Sequence, residues 1–382
     1  MRPAIRKLPA SRIREVANAG LGRSDVLAFW FGESDEPTPG FVCAAAAESL
    51  ARGETFYSHN LGLAELRDAI AAYASALHRP VGAARVAVTS SGVNALMIAM
   101  QALAGPGDEV VVVVPVWPNL PAQPAILGAE VRRFALTARG GAWGLDIDAL
   151  LATVTGRTRV LLVNAPNNPT GWTLTHAEQQ AILEHCRRTG TWIVADEVYE
   201  RIWFGAGAAA PSFADIAEPE DRLVIAQSFS KSFLMTGWRL GWLVAPESLV
   251  PALGMLAEFN TSCAPVFVQR GALAALAQAH SFVPGLVQRL RACRDTLLPL
   301  LSGLPRVEVA VPEGGMYAFF RVDGEDDSLA FAKRLVAEAG LGLAPGSAFG
   351  EESEGWLRWC FASREPARLV QGVERLAGAL RL

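Results

Sequence analysis

Apolar residues along the chain fall into two patterns that alternate. Short, largely apolar runs at 85–89, 109–114, 159–163, 191–195 and 241–245 are bounded by turn-forming residues and read as strands. Between them the spacing is helical: Leu63, Leu66, Ile70 and Tyr73 recur at i, i+3, i+7 and i+10. A second helix follows the Ser-Ser-Gly turn at 90–92. A third spans 175–188, opened by a Thr175/Glu178 capping box and closed by Gly190. This alternation, from about residue 40 to 290, predicts an α/β fold with a mostly parallel sheet sandwiched by helices.

From 246 to about 301 the pattern is helical, with Pro284 predicted to break it into two parts. Beyond that point short strands near 306–310, 316–321 and 356–361 alternate with helices near 328–339 and 365–379, an α+β pattern. The predicted division is an N-terminal arm, 1–40, packing with the small domain; a large domain, 41–295; and a small C-terminal domain, 296–382.

Composition narrows the function. With 382 residues, 51% of them apolar, the chain has material for one large core and a smaller one. A formal net charge of -4 without a basic stripe argues against nucleic acid or an anionic membrane as partner. The five cysteines are scattered and form no CxxC, which suits a reducing cytoplasm rather than a disulfide framework or zinc site. No run approaches the ~20 apolar residues of a membrane span. The histidines form no ligand-like cluster, so no metal is expected and they receive no chemical role.

Lysine is rare, at positions 7, 231 and 333 only, while arginine supplies nearly all basic side chains. A lysine retained at 231, in SFSKSFLMTGWRLGW, points to chemistry that arginine cannot perform: an amine forms a Schiff base with an aldehyde and a guanidinium does not. Ser228, Ser230 and Arg239 in the same stretch can converge on a phosphate. Pyridoxal 5'-phosphate carries both the aldehyde and the phosphate. The helix start at Ser91, Gly92 and Val93 offers free backbone N–H groups for the same anion. Trp117 and Asp196 both follow predicted strands, where open parallel sheets bind ligands. An indole there stacks on a pyridine ring, and a carboxylate pairs with its protonated nitrogen. Asn168, in NAPNNPTG, donates through its amide, and Pro169 is a candidate for a cis bond that fixes the turn. Arg358 stands in the otherwise apolar GWLRWCFA, a costly placement that an α-carboxylate would repay.

Together these motifs resemble the class I and II aminotransferases, fold-type I pyridoxal phosphate enzymes of the aspartate aminotransferase type, over about residues 32–361. The resemblance implies that Lys231 is the Schiff-base and proton-transfer residue, that Asp196 pairs with the ring nitrogen, and that Tyr199 and Asn168 bind the 3-oxygen. It places Trp117 against the ring, Arg358 on the substrate carboxylate, and backbone around Gly32 along the substrate pocket. Tyr57 would donate to the phosphate of a neighbouring subunit, making a homodimer with shared active sites. The implied activity moves an amino group from an amino acid to a 2-oxo acid.

Fold and cofactor do not fix the reaction. β-Lyases and other non-transaminating relatives use similar motifs, and a pyridoxal phosphate-binding regulator is a further alternative, although the segment before Gly32 is short for a DNA-binding domain. The resemblance places Val93 where some aspartate-active relatives carry a lysine for the distal carboxylate, which leaves acidic substrates in question.

Overall fold

Seven strands from the middle of the chain form one sheet in the computed structural model, in which residues 1–380 are described. They are β1 (Val86–Thr89), β2 (Glu109–Val114), β3 (Glu130–Ala135), β4 (Thr158–Asn164), β5 (Trp192–Asp196), β6 (Leu223–Ser228) and β7 (Gly241–Val244). Their spatial order is β1-β7-β6-β5-β4-β2-β3; β7 runs antiparallel to both its neighbours and every other pair is parallel.

Parallel strands covered on both faces read as continuous apolar runs, and here successive residues serve opposite cores. Val111, Val113, Leu161 and Val163 pack with the helices Ala64–Leu77, His176–Thr189 and Val266–Ala277. Val110, Val112, Val160 and Leu162 pack with the helices Gly92–Leu103 and Val250–Thr261. Each such side chain contributes about 1.5–3 kcal/mol by leaving water, so the register of these strands is strongly held. The Thr175/Glu178 capping box is formed in both directions, and Gly190 ends that helix in the left-handed conformation.

Two proline expectations are corrected. Pro284 does not break its helix, which runs from Ala279 to Ser302; the interruptions fall at 262–265 and at Gln278. Only one hydrogen bond, to the carbonyl four residues back, is forfeited near the start of a long helix. Pro169 follows a trans bond, while the cis bonds precede Pro115 and Pro166. The turn at 167–171 is held by Asn167 instead, whose carbonyl accepts from Gly171 N at 2.9 Å and whose side chain accepts from Thr170 N at 3.0 Å.

A second, antiparallel sheet joins Val307–Val309, Tyr317–Val322, Trp356–Cys360 and Ala344–Pro345, in that spatial order. Helices Ser328–Arg334 and Pro366–Ala379 accompany it. Part of the N-terminal segment packs with these elements: Leu27–Ala28 pairs with Leu341–Gly342, and Glu15 forms an ion pair with Lys333, whereas Arg2 donates to Ile126 O at 2.8 Å and Thr38 to Leu234 O at 2.6 Å, both on the side of the seven-stranded sheet.

The strand ends define one polar edge. Asn164 is in register with Asp196, and Gly241 with both Ser228 and Thr89. Because β7 is antiparallel, the chain enters it at the edge where β4, β5 and β6 leave. The segments around 90, 166, 198 and 231 therefore converge.

Candidate active site

Lys231 lies three residues beyond β6, half-buried, with Nζ donating to the carbonyl of Gly32 at 2.6 Å. A Cβ on Gly32 would lie 2.2 Å from the Tyr317 hydroxyl, so only glycine lets the N-terminal segment come this close. Burial pulls the Lys231 ammonium down to about 8; the Arg358 and Arg239 charges assist, while Cys360 and Glu33 oppose. A substantial neutral fraction near neutrality is what a nucleophilic amine needs.

An anion cradle lies beside it. The helix Gly92–Leu103 begins at the end of β1, and the N–H groups of Gly92 and Val93 donate to no acceptor among the described residues. A Cβ on Gly241 would lie 2.6 Å from Gly92 N, so this glycine brings β7 against the helix start. Ser228 and Ser230 are buried along the same rim. Arg239, left-handed at φ 55°, remains exposed and donates to Thr236 O at 2.6 Å. Ser91 is outside the pocket lining: its hydroxyl caps the helix, accepting from Asn94 N at 3.1 Å.

Asp196 ends β5 at 3% exposure and forms no ion pair among the described residues; Oδ1 accepts only a long bond, 3.4 Å, from Val198 N. Burial pushes its carboxyl up to about 7, against the Val198 N–H and the Lys231 charge. Such a group is stabilised by an incoming cation.

Asn164, which the sequence reading passed over, ties two loops together: Nδ2 donates to Asp196 O at 3.0 Å and Oδ1 accepts from Asn168 N at 2.8 Å. Asn168 O accepts in turn from the N–H of Trp117, which is half-buried at the pocket wall, at 2.8 Å. With Asn168 Oδ1 taken by Arg358 Nη1 at 2.9 Å, the Asn168 amide hydrogens remain for a ligand.

Arg358 is 2% exposed at the centre of the second sheet. Its guanidinium lies between the rings of Tyr317 and Phe349, at 4.5 and 4.8 Å from their centroids. Nη2 donates to Trp30 O, and Nε has no partner among the described residues. A buried guanidinium held by neutral groups and left one donor short is poised for an anion.

Tyr199 also enters the pocket, its hydroxyl 2.6 Å from that of Tyr317. Tyr317, Ile13, Phe31, Leu96 and Val198 complete the lining and were not anticipated. Tyr317 had a faint signal, a tyrosine inside the apolar run MYAFF; the others look like ordinary core residues. Tyr57 is not in this pocket. It is 89% exposed beside Phe56, at 84%, and the 56–60 segment is tethered to the helix carrying exposed Met255 and Phe259 through Asn60, which donates to Gly254 O at 2.8 Å.

Behind Asp196 lies a buried polar network. His78 Nδ1 is 2.8 Å from Asp215 and Nε2 is 3.1 Å from Glu200, while Glu197 accepts from Ser212 Oγ at 2.6 Å. The two carboxylates raise the imidazole to about 10 despite its burial. His78 thus has a structural role that its isolated place in the sequence did not reveal.

A mostly parallel sheet with a lysine-bearing turn at its carboxyl edge, beside a small antiparallel sheet carrying a buried arginine, is the fold-type I architecture of pyridoxal phosphate enzymes. A family profile described as aminotransferase class I and II matches residues 25–376, and the chain belongs to that family. It is similar to an aspartate aminotransferase of Musicola paradisiaca, 34% identical over 355 residues, covering 91% of this chain and 88% of that one. The solved structure of aspartate aminotransferase from Thermotoga maritima superposes with a TM-score of 0.91 at 31% identity over 100% of both chains. N-succinyldiaminopimelate aminotransferase from Mycobacterium tuberculosis superposes with a TM-score of 0.93 at 28% identity over 99% of each. The protein is an aminotransferase, and members of its family depend on pyridoxal phosphate. No helix among the described residues is long and apolar enough to cross a membrane.

Proposed function

We propose that this aminotransferase holds pyridoxal phosphate covalently at Lys231 and carries an amino group from an amino acid to a 2-oxo acid in two half-reactions, by ping-pong kinetics. The observation that carries the reading is the convergence of a depressed lysine, an unpaired buried carboxylate and a free helix start in one pocket. When bound, the cofactor supplies an aldehyde for capturing amines and a pyridinium ring that accepts the electron pair left at the substrate Cα.

The residues present fit that group. The Gly92 and Val93 N–H groups, the Ser228 and Ser230 hydroxyls and Arg239 would hold the phosphate. Asp196, without a cation of its own, would keep the ring nitrogen protonated, and Trp117 would cover a ring face. Tyr199 and the Asn168 amide would donate to the 3-oxygen. Arg358 would bind the substrate carboxylate, with Asn168 beside it, and so orient the Cα–H bond. Lys231 Nζ would take the Cα proton and return it.

In this reading the protein is a cytoplasmic homodimer, and Tyr57 of each copy reaches the phosphate of the other. The exposed Phe56, Tyr57, Met255 and Phe259 support the pairing, and the five free thiols suit a reducing compartment.

The test is a half-reaction. With one amino acid and no acceptor, the holoenzyme should release one equivalent of oxo acid per site and lose its visible absorbance, which a 2-oxo acid restores. Sustained ammonia release without an acceptor would identify a lyase instead. Arg358→Gln should raise the amino-acid KM while cofactor content holds.

A further inference from the structure

The pocket is polar where the cofactor and the α-carboxylate would sit and apolar elsewhere. Two carbonyls of the N-terminal segment bracket the change. Trp30 O receives Arg358 Nη2, and Gly32 O receives Lys231 Nζ at 2.6 Å. Phe31, the residue between them, therefore stands between the carboxylate anchor and the amine, beside the place where a substrate's third substituent at Cα must go. Ile13 adds to this wall from the helix Arg12–Gly20, whose start is capped by Ser11. Val93 and Leu96, one turn apart on the helix Gly92–Leu103, bring two more apolar side chains into the lining.

We propose that the wall of Ile13, Phe31, Val93 and Leu96 makes the enzyme select amino acids with apolar side chains, of the leucine, methionine or phenylalanine type, over dicarboxylic ones. This rests on the aminotransferase reading above and specifies its substrate class. The cations in the lining are Lys231, Arg239 and Arg358, and each already has an assignment: the chemistry, the phosphate and the α-carboxylate. A distal carboxylate would meet hydrocarbon with no further cation among the described residues of the lining, and burying it so is unfavourable. An apolar side chain gains from the same contacts, and a methylene in a hydrophobic pocket typically changes kcat/KM by about tenfold or more. Arg14 is a further cation on this side, its guanidinium 5.7 Å from the Phe31 ring centroid, but it is exposed and outside the lining.

Two measurements on the holoenzyme test the proposal. In the first, cofactor absorbance follows a single turnover of leucine, methionine, phenylalanine, aspartate and glutamate without acceptor. The apolar donors should react at least tenfold faster at equal subsaturating concentration. In the second, binding of 4-methylpentanoate and succinate, which lack an amino group, is read by tryptophan fluorescence; 4-methylpentanoate should bind at least tenfold tighter. Val93→Lys should narrow both ratios, Phe31→Ala should slow leucine more than aspartate, and Arg14→Ala should leave the ratios unchanged. Aspartate or glutamate matching leucine in the wild type, whether through Arg14 or a cation from a second subunit, overturns the proposal and leaves the aminotransferase reading standing. If no amino acid alters the absorbance, it is the half-reaction reading that fails, and the two carboxylates still decide the character of the wall.

Discussion

The phenolic oxygens of Tyr199 and Tyr317 lie 2.6 Å apart, and both side chains are buried. Burial lifts both phenols above their ordinary range, so both are protonated at neutral pH. One hydroxyl must donate and the other accept, which means Tyr317 sets the direction in which Tyr199 can offer its proton. A neutral hydrogen bond of this kind is worth about 0.5–1.5 kcal/mol net. Tyr317→Phe should therefore lower kcat by about two- to tenfold, with fold and cofactor content intact. If Tyr317 acts through Tyr199, the double variant with Tyr199→Phe should be no slower than Tyr199→Phe alone; losses that multiply would show the two act separately.

Lys231 offers a prediction in pH. Its amine is protonated below about 8 and free above. The rate at which cofactor-free protein captures pyridoxal phosphate should climb as pH rises through that value. Borohydride should then fix the label on Lys231, as read by peptide mass spectrometry. Lys231→Arg should capture none, although Lys7 and Lys333 remain.

Asp196→Asn should act in opposite directions on activity and on the cofactor-free fold. The carboxyl titrates near 3.8 when unfolded and at about 7 when folded, so the folded state holds a proton that the unfolded state has lost. Stability conferred by that proton declines as pH rises between these values, leaving an unpaired buried charge above 7. An amide keeps the acceptor for Val198 N and carries no charge. Above pH 7 the cofactor-free variant should melt higher than the wild type, while turnover with cofactor falls by orders of magnitude. A lower melting temperature for the cofactor-free variant would show that the carboxylate stabilises the empty pocket.

The His78 network predicts a decline of the same sign in a higher pH window. The folded pKa of His78, about 10, lies above its ordinary 6.5, so its contribution is complete below 6.5 and is lost as pH rises through 10. Its partners are Glu200 and Asp215, with Glu197 and His176 nearby. His78→Gln should destabilise the protein by about 3–5 kcal/mol near pH 7, with the gap to the wild type closing toward pH 10. Taking the difference between the two proteins removes the contribution of Lys231, whose depressed pKa works the other way between about 8 and 10.5. Parallel curves across this range would mean that His78 is neutral in the fold.

What was legible in the sequence was whatever is expensive out of context. A lone lysine among arginines, an aspartate ending an apolar strand and an arginine inside another each require a partner, and each proved to line one pocket. Ile13 and Phe31 carry no such penalty: apolar residues near a helix fit any core, and only the approach of residues 30–32 to Arg358 and Lys231 gives them a place at the site. Tyr317 was hidden for a similar reason, since its meaning comes from a neighbour 118 residues away. The strand Glu130–Ala135 escaped the pattern because it lies at the sheet edge with arginines exposed, and Leu223–Ser228 because it runs straight into the lysine turn. Pro284 misled because one missing donor near the start of a long helix is tolerated.

The pairing of Asn164 with Asp196, and of Gly241 with Ser228 and Thr89, also governs how such a chain can change length. Side chains alternate faces along a strand, so one residue inserted or deleted inside β4, β5 or β6 would turn its terminal functional group to the far side of the sheet and expose the wrong core face. The loops at the opposite edge feel no such constraint. Lineages descending from this sequence should accumulate insertions and deletions there and almost none within those three strands, and a library of single-codon deletions scored for amino transfer should show the same asymmetry.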